Sequence, residues 1–209
     1  MRRLVMIDTE TGGLDAAIHG LTEVGAVAFD LAPDGALWER ETFRCLLRPA
    51  PLLSYTPYAL SLQGQTLESL DEHGQAEFLA YADFAAFLLR HVGEPDARAG
   101  QIWAHNAVFD HAFIAAFAHR ATGLKHDFPA RCDWSCTKTL FYILRSLGVH
   151  DGQWSNLKSM AELFGVEMSG RHHTAVTDAV AAMRCLATMT RLWHEFSRTQ
   201  EASSPTWKK

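Results

Sequence analysis

The sequence predicts an α/β domain in which a mixed sheet is covered by helices. Two observations indicate this class. Apolar runs typical of strands dominate the N-terminal part of the chain, and segments with helical periodicity alternate with short strand-like runs in the remainder. The length is compatible with one compact domain, because 209 residues with 48% hydrophobic and 21% charged side chains can bury a sizeable core.

Five segments are predicted to be strands. The first three follow one another, and the turn residues Pro33-Asp34-Gly35 separate the second from the third. The last two are short and lie among predicted helices. In chain order the predicted strands are Leu4 to Ile7, Val24 to Phe29, Thr42 to Leu47, Ile102 to Ala104 and Ala130 to Asp133.

Helical periodicity begins after a proline-containing segment, in which we expect only a short helix near Tyr58 to Leu62. The next predicted helix spans Gln75 to His91. Its expected apolar face consists of Phe78, Ala82, Ala85 and Leu89. The later predicted helices are Val108 to Ala121, Thr137 to Leu147, Asn156 to Phe164 and Thr174 to Phe196.

Composition limits the classes of function. A net charge of −5 is not typical of a protein with a large nonspecific nucleic-acid surface, so any such footprint should be short. The chain lacks an apolar stretch of about 18 residues and the apolar segment of a signal peptide, which predicts a cytoplasmic protein without a membrane partner. The cysteines are scattered and are expected to be reduced: Cys45, Cys132, Cys136 and Cys185.

The first candidate site lies at the end of the first predicted strand. Asp8 and Glu10 are two residues apart, so both carboxylates point to the same face of an extended strand. Ionised acids beside an apolar core repel each other unless a cation lies between them, which favours a metal site. For this pair alone, a strand end with two hydrated acids is the competing interpretation.

Two further acids occur where predicted helices begin. Asp110 follows His105-Asn106-Ala107-Val108-Phe109, where an apolar run passes into helical periodicity. Asp178 lies in or near the first turn of the helix predicted from Thr174, and His173 stands five residues before Asp178. Taken singly, each is compatible with an ordinary capping or first-turn role.

In the order Asp-x-Glu, Asp, His-x4-Asp, these residues resemble the DEDD superfamily of 3′-to-5′ exonucleases. The spacing from His173 to Asp178 is similar to that of its histidine branch (DEDDh), which includes ribonuclease T and the proofreading subunits of bacterial replicative polymerases. The resemblance implies a ribonuclease H-like fold with a central first strand. It runs from about residue 4 to about residue 190, so we expect an exonuclease domain over residues 1–196, followed by a polar tail over residues 197–209.

The resemblance also implies the division of roles in the site. The metal-binding carboxylates would be Asp8, Glu10, Asp110 and Asp178, and His173 would be the general base. Oxygen ligands select hard cations, so we expect two Mg²⁺ or Mn²⁺ ions, which can stabilise the attacking and leaving oxygens in phosphodiester hydrolysis. The neighbouring His172 lacks the family spacing and is expected to contact phosphate or solvent.

Substrate contacts are expected from two of the motifs. In the first, the resemblance implies that Thr9, Gly12 and Leu14 approach the terminal nucleotide, with Leu14 wedged against a base; a place for Leu14 in the core is equally compatible with the sequence. In the second, His105 and Asn106 either position the substrate backbone or bond to nearby backbone groups.

The predicted function is therefore removal of nucleoside monophosphates from the 3′ end of DNA. The nucleic acid that it binds is expected to be single-stranded. Trimming of RNA by the same residues is the alternative, since no residue pattern places a contact to the 2′-hydroxyl. A noncatalytic module that binds nucleic-acid ends is a third interpretation, and the presence of all five motif residues argues against it. The short segment after the last predicted helix favours a standalone exonuclease; a polymerase partner or a homodimer stays open.

Overall fold

The computed structural model describes residues 1–93, 101–124, 132–168 and 174–203. Within these residues five strands form one sheet. Counted in chain order, the strands lie side by side in the order third, second, first, fourth, fifth. The first strand is central, as the resemblance implied. It is antiparallel to the second strand and parallel to the fourth, so the sheet is mixed.

The first three strands are longer than the apolar runs that predicted them, and the fourth matches its predicted bounds. The first three are β1 (Arg2–Thr11), β2 (Leu21–Leu31) and β3 (Leu37–Leu46). The last two are β4 (Ile102–Ala104) and β5 (Trp134–Cys136). Because β1 continues to Thr11, Asp8 and Glu10 lie inside the strand rather than at its end.

Seven helices occur in the described part of the chain. Those before β4 are α1 (Pro57–Gln63), α2 (Leu67–His73) and α3 (Glu77–Val92). Those after it are α4 (Ala107–Thr122), α5 (Thr137–Ser146), α6 (Leu157–Phe164) and α7 (Ala175–Ser203). The last helix extends through residues 197–203, which were predicted to belong to the polar tail.

Alternation along β1 divides the core between the two faces of the sheet. Val5 and Ile7 belong to a cluster with side chains of α3 and α4. Leu4 and Met6 belong to a cluster with side chains of α7. The same period of two continues beyond the apolar run, so Asp8 and Glu10 share the α7 face while Thr9 shares the α4 face.

One helix was not predicted, and two predictions of secondary structure were wrong. No element was predicted between residues 65 and 75, but α2 forms there, and Thr66 and Ser69 cap its first turn reciprocally. The fifth strand was expected at Ala130 to Asp133. It lies at Trp134–Cys136 instead, because pairing with β4 sets its position; residues 130 and 131 lie outside the described residues.

The predicted apolar face of α3 was also wrong, since Phe78 and Leu89 are exposed. The opposite face is buried, where Phe84 and Phe87 contact the ring of Phe43 on β3. Both faces of α3 carry apolar residues at helical spacing. The face with the aromatic rings is the buried one, because burying these rings removes more apolar area from water than burying the predicted face would. The buried residues of α3 are Ala80, Tyr81, Phe84, Phe87 and Leu88.

All four cysteines are free thiols, as expected. In the described ranges, no helix combines the length and the apolarity that crossing a membrane requires.

Candidate active site

Three of the predicted site carboxylates converge at one point of the structure. Each of Asp8, Glu10 and Asp178 offers a carboxylate oxygen, and these oxygens lie within 4.8 Å of one another. All three residues are half-buried. We refer to Asp8, Glu10 and Asp178 as the acid cluster.

The fold explains why these acids meet. Asp8 and Glu10 point from the central strand towards α7, following the alternation that buries Leu4 and Met6 on that face. Asp178 lies in the first turn of α7. The first turn of the helix therefore places Asp178 next to Asp8 and Glu10 of the strand.

Electrostatics make the acid cluster unfavourable without a cation. Burial raises the pKa of Asp8 well above its usual range, and the negative charges of Asp110, Asp178 and Glu10 raise it further. A divalent cation would reverse this effect by favouring the ionised carboxylates. The oxygen-only donor set, its burial and the short distances fit a hard cation such as Mg²⁺ or Mn²⁺.

Asp110 approaches from the other face of the sheet, where it lies in the first turn of α4 and is buried. Its carboxylate accepts a hydrogen bond of 2.8 Å from the Thr9 hydroxyl, which shares that face. Burial raises the pKa of Asp110 to about 7, although the bond from Thr9 opposes the shift. Asp110 lines the same cavity as the acid cluster, and Thr9 links it to the strand that carries Asp8 and Glu10.

The acids lie in a cleft of about 730 Å³. One wall is apolar and comes from the turn after β1 and from α1, with Leu14, Tyr58 and Leu62. Leu14 and Tyr58 are 86% and 74% exposed, which excludes a core role for Leu14. Other residues that line the cleft are Thr11, Gly13, His19, Thr56, Ala59, Gln63, Phe109 and Leu157.

Hydrogen bonds fix α1 as a wall of the cleft. Thr56 caps the helix by accepting the N–H of Ala59, and its own N–H donates to the carbonyl of Gly12 at 2.7 Å. At the other end of α1, the buried Gln63 donates to the carbonyl of Thr11 at 2.8 Å. Both ends of α1 are thus bonded to the chain that immediately follows the first two acids.

His105 lines the cleft and directly follows β4, whose last residue, Ala104, pairs with Ile7 of β1. Its Nδ1 atom forms a 3.0 Å hydrogen bond with the hydroxyl of Thr137, which follows β5. Burial, and then the charge of Lys138, lower the pKa of His105 to about 4. His105 is therefore neutral at physiological pH and can hydrogen-bond to a ligand without adding charge to the site.

The other residues predicted to contact substrate have different positions. Gly12 is not among the lining residues, because its backbone packs against Ser54 and Tyr55. Asn106 is exposed at the start of α4, with a left-handed backbone, and does not line the cleft either. His173 and His172 lie outside the described residues.

Sequence reasoning missed several residues of the site. Tyr58 and Leu62 were assigned only to a short helix, and no motif placed them near the acids. Their exposure on a helix anchored to the first motif makes them part of the wall. Glu23, whose carboxylate accepts the N–H of Ala175 at the start of α7, stands just before the second predicted strand, and no motif gave it a role.

Comparison with known proteins gives a consistent classification. Residues 5–186 match the model of the RNase_T family, which is described as exonuclease. Ribonuclease T of Pectobacterium atrosepticum is 31% identical over 124 residues, covering 59% of this chain and 56% of that protein. Ribonuclease T of Escherichia coli K12 is 27% identical over 124 residues, covering 59% and 58%. The matched region thus spans little more than half the length of these curated relatives.

Solved structures share the fold at low sequence identity. E. coli exonuclease I in complex with a dT13 oligonucleotide superimposes with a TM-score of 0.72 at 16% identity, covering 98% of this chain and 44% of that one. Cell-death related nuclease 4 gives a TM-score of 0.68 at 17% identity, covering 90% and 63%. These likenesses agree with a ribonuclease H-like sheet flanked by helices.

The raised pKa of Asp110 predicts how the stability of the metal-free protein changes with pH. Since the pKa of about 7 in the folded state exceeds the ordinary 3.8, the folded protein holds a proton that the unfolded chain releases. The free energy of unfolding therefore falls as pH rises between these values. Asp110→Asn removes this contribution and keeps an acceptor for Thr9.

In EDTA, we expect Asp110→Asn to exceed the wild type in stability by on the order of 1 to 3 kcal/mol near pH 8, and to lose that advantage near pH 4. Urea unfolding of both proteins at the two pH values measures the difference. An equal difference at both pH values would contradict the assigned protonation of Asp110.

Proposed function

Because the chain belongs to the RNase_T exonuclease family, we propose that it removes nucleoside monophosphates from the 3′ end of single-stranded DNA by metal-dependent hydrolysis. One observation carries this proposal. The acid cluster lies in an open cleft whose neighbouring wall is apolar. A nucleotide needs both surfaces, since its phosphate requires cations and its base packs on apolar or aromatic groups.

We assign the acids to the binding of divalent cations. Asp8, Glu10 and Asp178 supply oxygens that are already close together. Asp110 supplies a carboxylate whose orientation is fixed by the Thr9 hydroxyl. When bound, Mg²⁺ or Mn²⁺ would favour ionisation of the attacking water and offset negative charge on the phosphate oxygens.

The general base is assigned to His173 on its spacing from Asp178, which is that of the histidine branch of the superfamily. Its ring nitrogen would accept the proton of the attacking water, and an imidazole with an ordinary pKa of about 6.5 is largely neutral above pH 7. His105 is a poorer candidate for this role, because its lowered pKa makes the protonated ring unfavourable. We assign His105 to hydrogen bonding with the substrate.

The choice of DNA is supported by the oligonucleotide complexes of exonuclease I, whose fold covers nearly the whole of this chain. A second candidate is trimming of RNA from the 3′ end, and it is favoured by the curated relatives named ribonuclease T. The same acids and the same cleft would serve either substrate. A contact to the 2′-hydroxyl is what would distinguish the two.

Digestion of 5′-labelled single-stranded DNA with Mg²⁺ or Mn²⁺, beside an RNA of matched sequence, tests the proposal. We expect a ladder that shortens from the 3′ end and disappears in EDTA and in Asp178→Asn. Faster cleavage of the RNA would favour the second candidate. Absence of cleavage of either strand would favour a noncatalytic module that binds nucleic-acid ends.

The same digestion tests the general base. His173→Ala should retain metal binding and slow the reaction by about 10²- to 10⁴-fold.

The apolar wall predicts a separate effect on substrate binding. Leu14→Ala should raise KM roughly fivefold or more and change kcat less, because we assign the exposed Leu14 side chain to packing on the base and not to contact with the reacting phosphate. Steady-state kinetics on a short oligonucleotide measure both constants. Leu79→Ala is a matched control, since Leu79 is an exposed leucine on α3 that does not line the cleft. An equal effect of the two substitutions would contradict the assignment of Leu14.

A further inference from the structure

Glu23 is a buried carboxylate next to the acid cluster. In the antiparallel pair of β1 and β2, Glu23 is directly opposite Glu10, and Gly25 is directly opposite Asp8. Opposed residues point to the same face, and two carboxylates in this relation repel each other. Glu23 is nevertheless only 3% exposed, so its contacts must offset both the repulsion and the loss of hydration.

Two kinds of contact hold the Glu23 carboxylate. Arg44 on β3 donates two hydrogen bonds to it, of 3.1 and 2.9 Å. The backbone N–H of Ala175 donates a third, of 3.0 Å, to Oε1. Ala175 is the first residue of α7, so Glu23 caps this helix from a different element and ties its start to the sheet.

Gly25 brings the same helix start against the strand. A Cβ atom at Gly25 would lie 2.2 Å from the carbonyl carbon of Ala175 and 2.2 Å from the nitrogen of Val176. Both are backbone atoms, which cannot rotate away as a side chain would. The first turn of α7 therefore packs directly on β2 at the residue opposite Asp8.

The start of α7 determines where the Asp178 carboxylate lies. Asp178 comes three residues after Ala175, so the two residues share one side of the helix within a single turn. Any shift or tilt of that turn moves the Asp178 carboxylate relative to Asp8 and Glu10. A separation of 4.8 Å or less among the three oxygens leaves little tolerance for such movement.

We propose that Glu23 is a positioning residue: held by Arg44 and aided by Gly25, it fixes the start of α7 and so keeps Asp178 in place to bind a divalent cation together with Asp8 and Glu10. The Arg44 guanidinium offsets the negative charge of Glu23. The carboxylate can therefore hold the helix start without adding a full uncompensated charge beside the acids. This inference rests on the proposed function only in requiring that the acid cluster binds a cation.

The test is the affinity for Mn²⁺, measured by electron paramagnetic resonance of the free ion, with circular dichroism to verify folding. We expect Glu23→Ala to weaken Mn²⁺ binding by about 10- to 100-fold, the range typical of residues that orient metal ligands. Glu23→Gln keeps an oxygen acceptor for Ala175 and should recover part of that loss. Gly25→Ala should weaken binding as well, because it displaces the helix start.

Glu77→Ala is the matched control. Glu77 is also a partly buried glutamate paired with an arginine, Arg120, at 2.7 Å, and it does not line the cleft. This substitution should lower the stability of the protein and leave Mn²⁺ affinity unchanged. Equal loss of affinity in Glu77→Ala and Glu23→Ala would overturn the proposal, because it would reduce the role of Glu23 to general stability.

A double-mutant cycle separates positioning of Asp178 from other effects. If Glu23 acts through Asp178, Glu23→Ala should have little further effect on affinity in an Asp178→Asn background. An undiminished effect there, or wild-type affinity in folded Glu23→Ala, would overturn the proposal. If Glu23→Ala does not fold, Glu23→Gln and Gly25→Ala are judged by the same criteria. Failure of the wild type to bind Mn²⁺ at all would instead contradict the proposed function itself.

Discussion

The repulsion among carboxylates around Asp8 is the interaction on which the rest of the structure depends. Asp8 lies in the central strand, where burial alone disfavours its ionised form. The fold then adds Asp178 from α7 on one face and Asp110 from α4 on the other. Without a cation this arrangement destabilises the ionised site, and with one it becomes a set of ready ligands.

The elements around the acids restrain the groups that would otherwise move apart. Thr9 holds Asp110 by a hydrogen bond, and Glu23 holds the start of the helix that carries Asp178. Both restraints come from residues adjacent to the acids, within β1 or across the β1–β2 pair. The sheet thus supplies two of the carboxylates and also fixes the positions of those that come from helices. In the same way, α1 is bonded to the residues that follow Glu10, which places the apolar wall beside the acids.

Local sequence patterns were sufficient to predict much of this architecture. The apolar runs located four of the five strands of the sheet, and the period of two along β1 predicted that Asp8 and Glu10 share a face. The motif order predicted that Asp178 joins them, and the structure places a carboxylate oxygen of Asp178 within 4.8 Å of those of the other two acids. These features depend on residues that are close in sequence or on a family pattern.

Features that depend on distant contacts could not be predicted in this way. Glu23 is separated from its partner Ala175 by 152 residues and lies in a segment typical of any buried strand. The apolar residues of α3 fit either of two faces, and only packing against Phe43 selects one. The position of β5 is set by its pairing with β4. In each case a tertiary contact determines what local periodicity leaves open.

Binding of divalent cations by the acid cluster, together with Asp110, is what the proposed chemistry requires. The most direct measurement is an anomalous difference map from crystals of the protein grown with Mn²⁺. We expect a peak within coordination distance of oxygens from Asp8, Glu10 and Asp178. A map whose Mn²⁺ peaks all lie away from these side chains, or in which the three carboxylates are ordered with no peak between them, would contradict it.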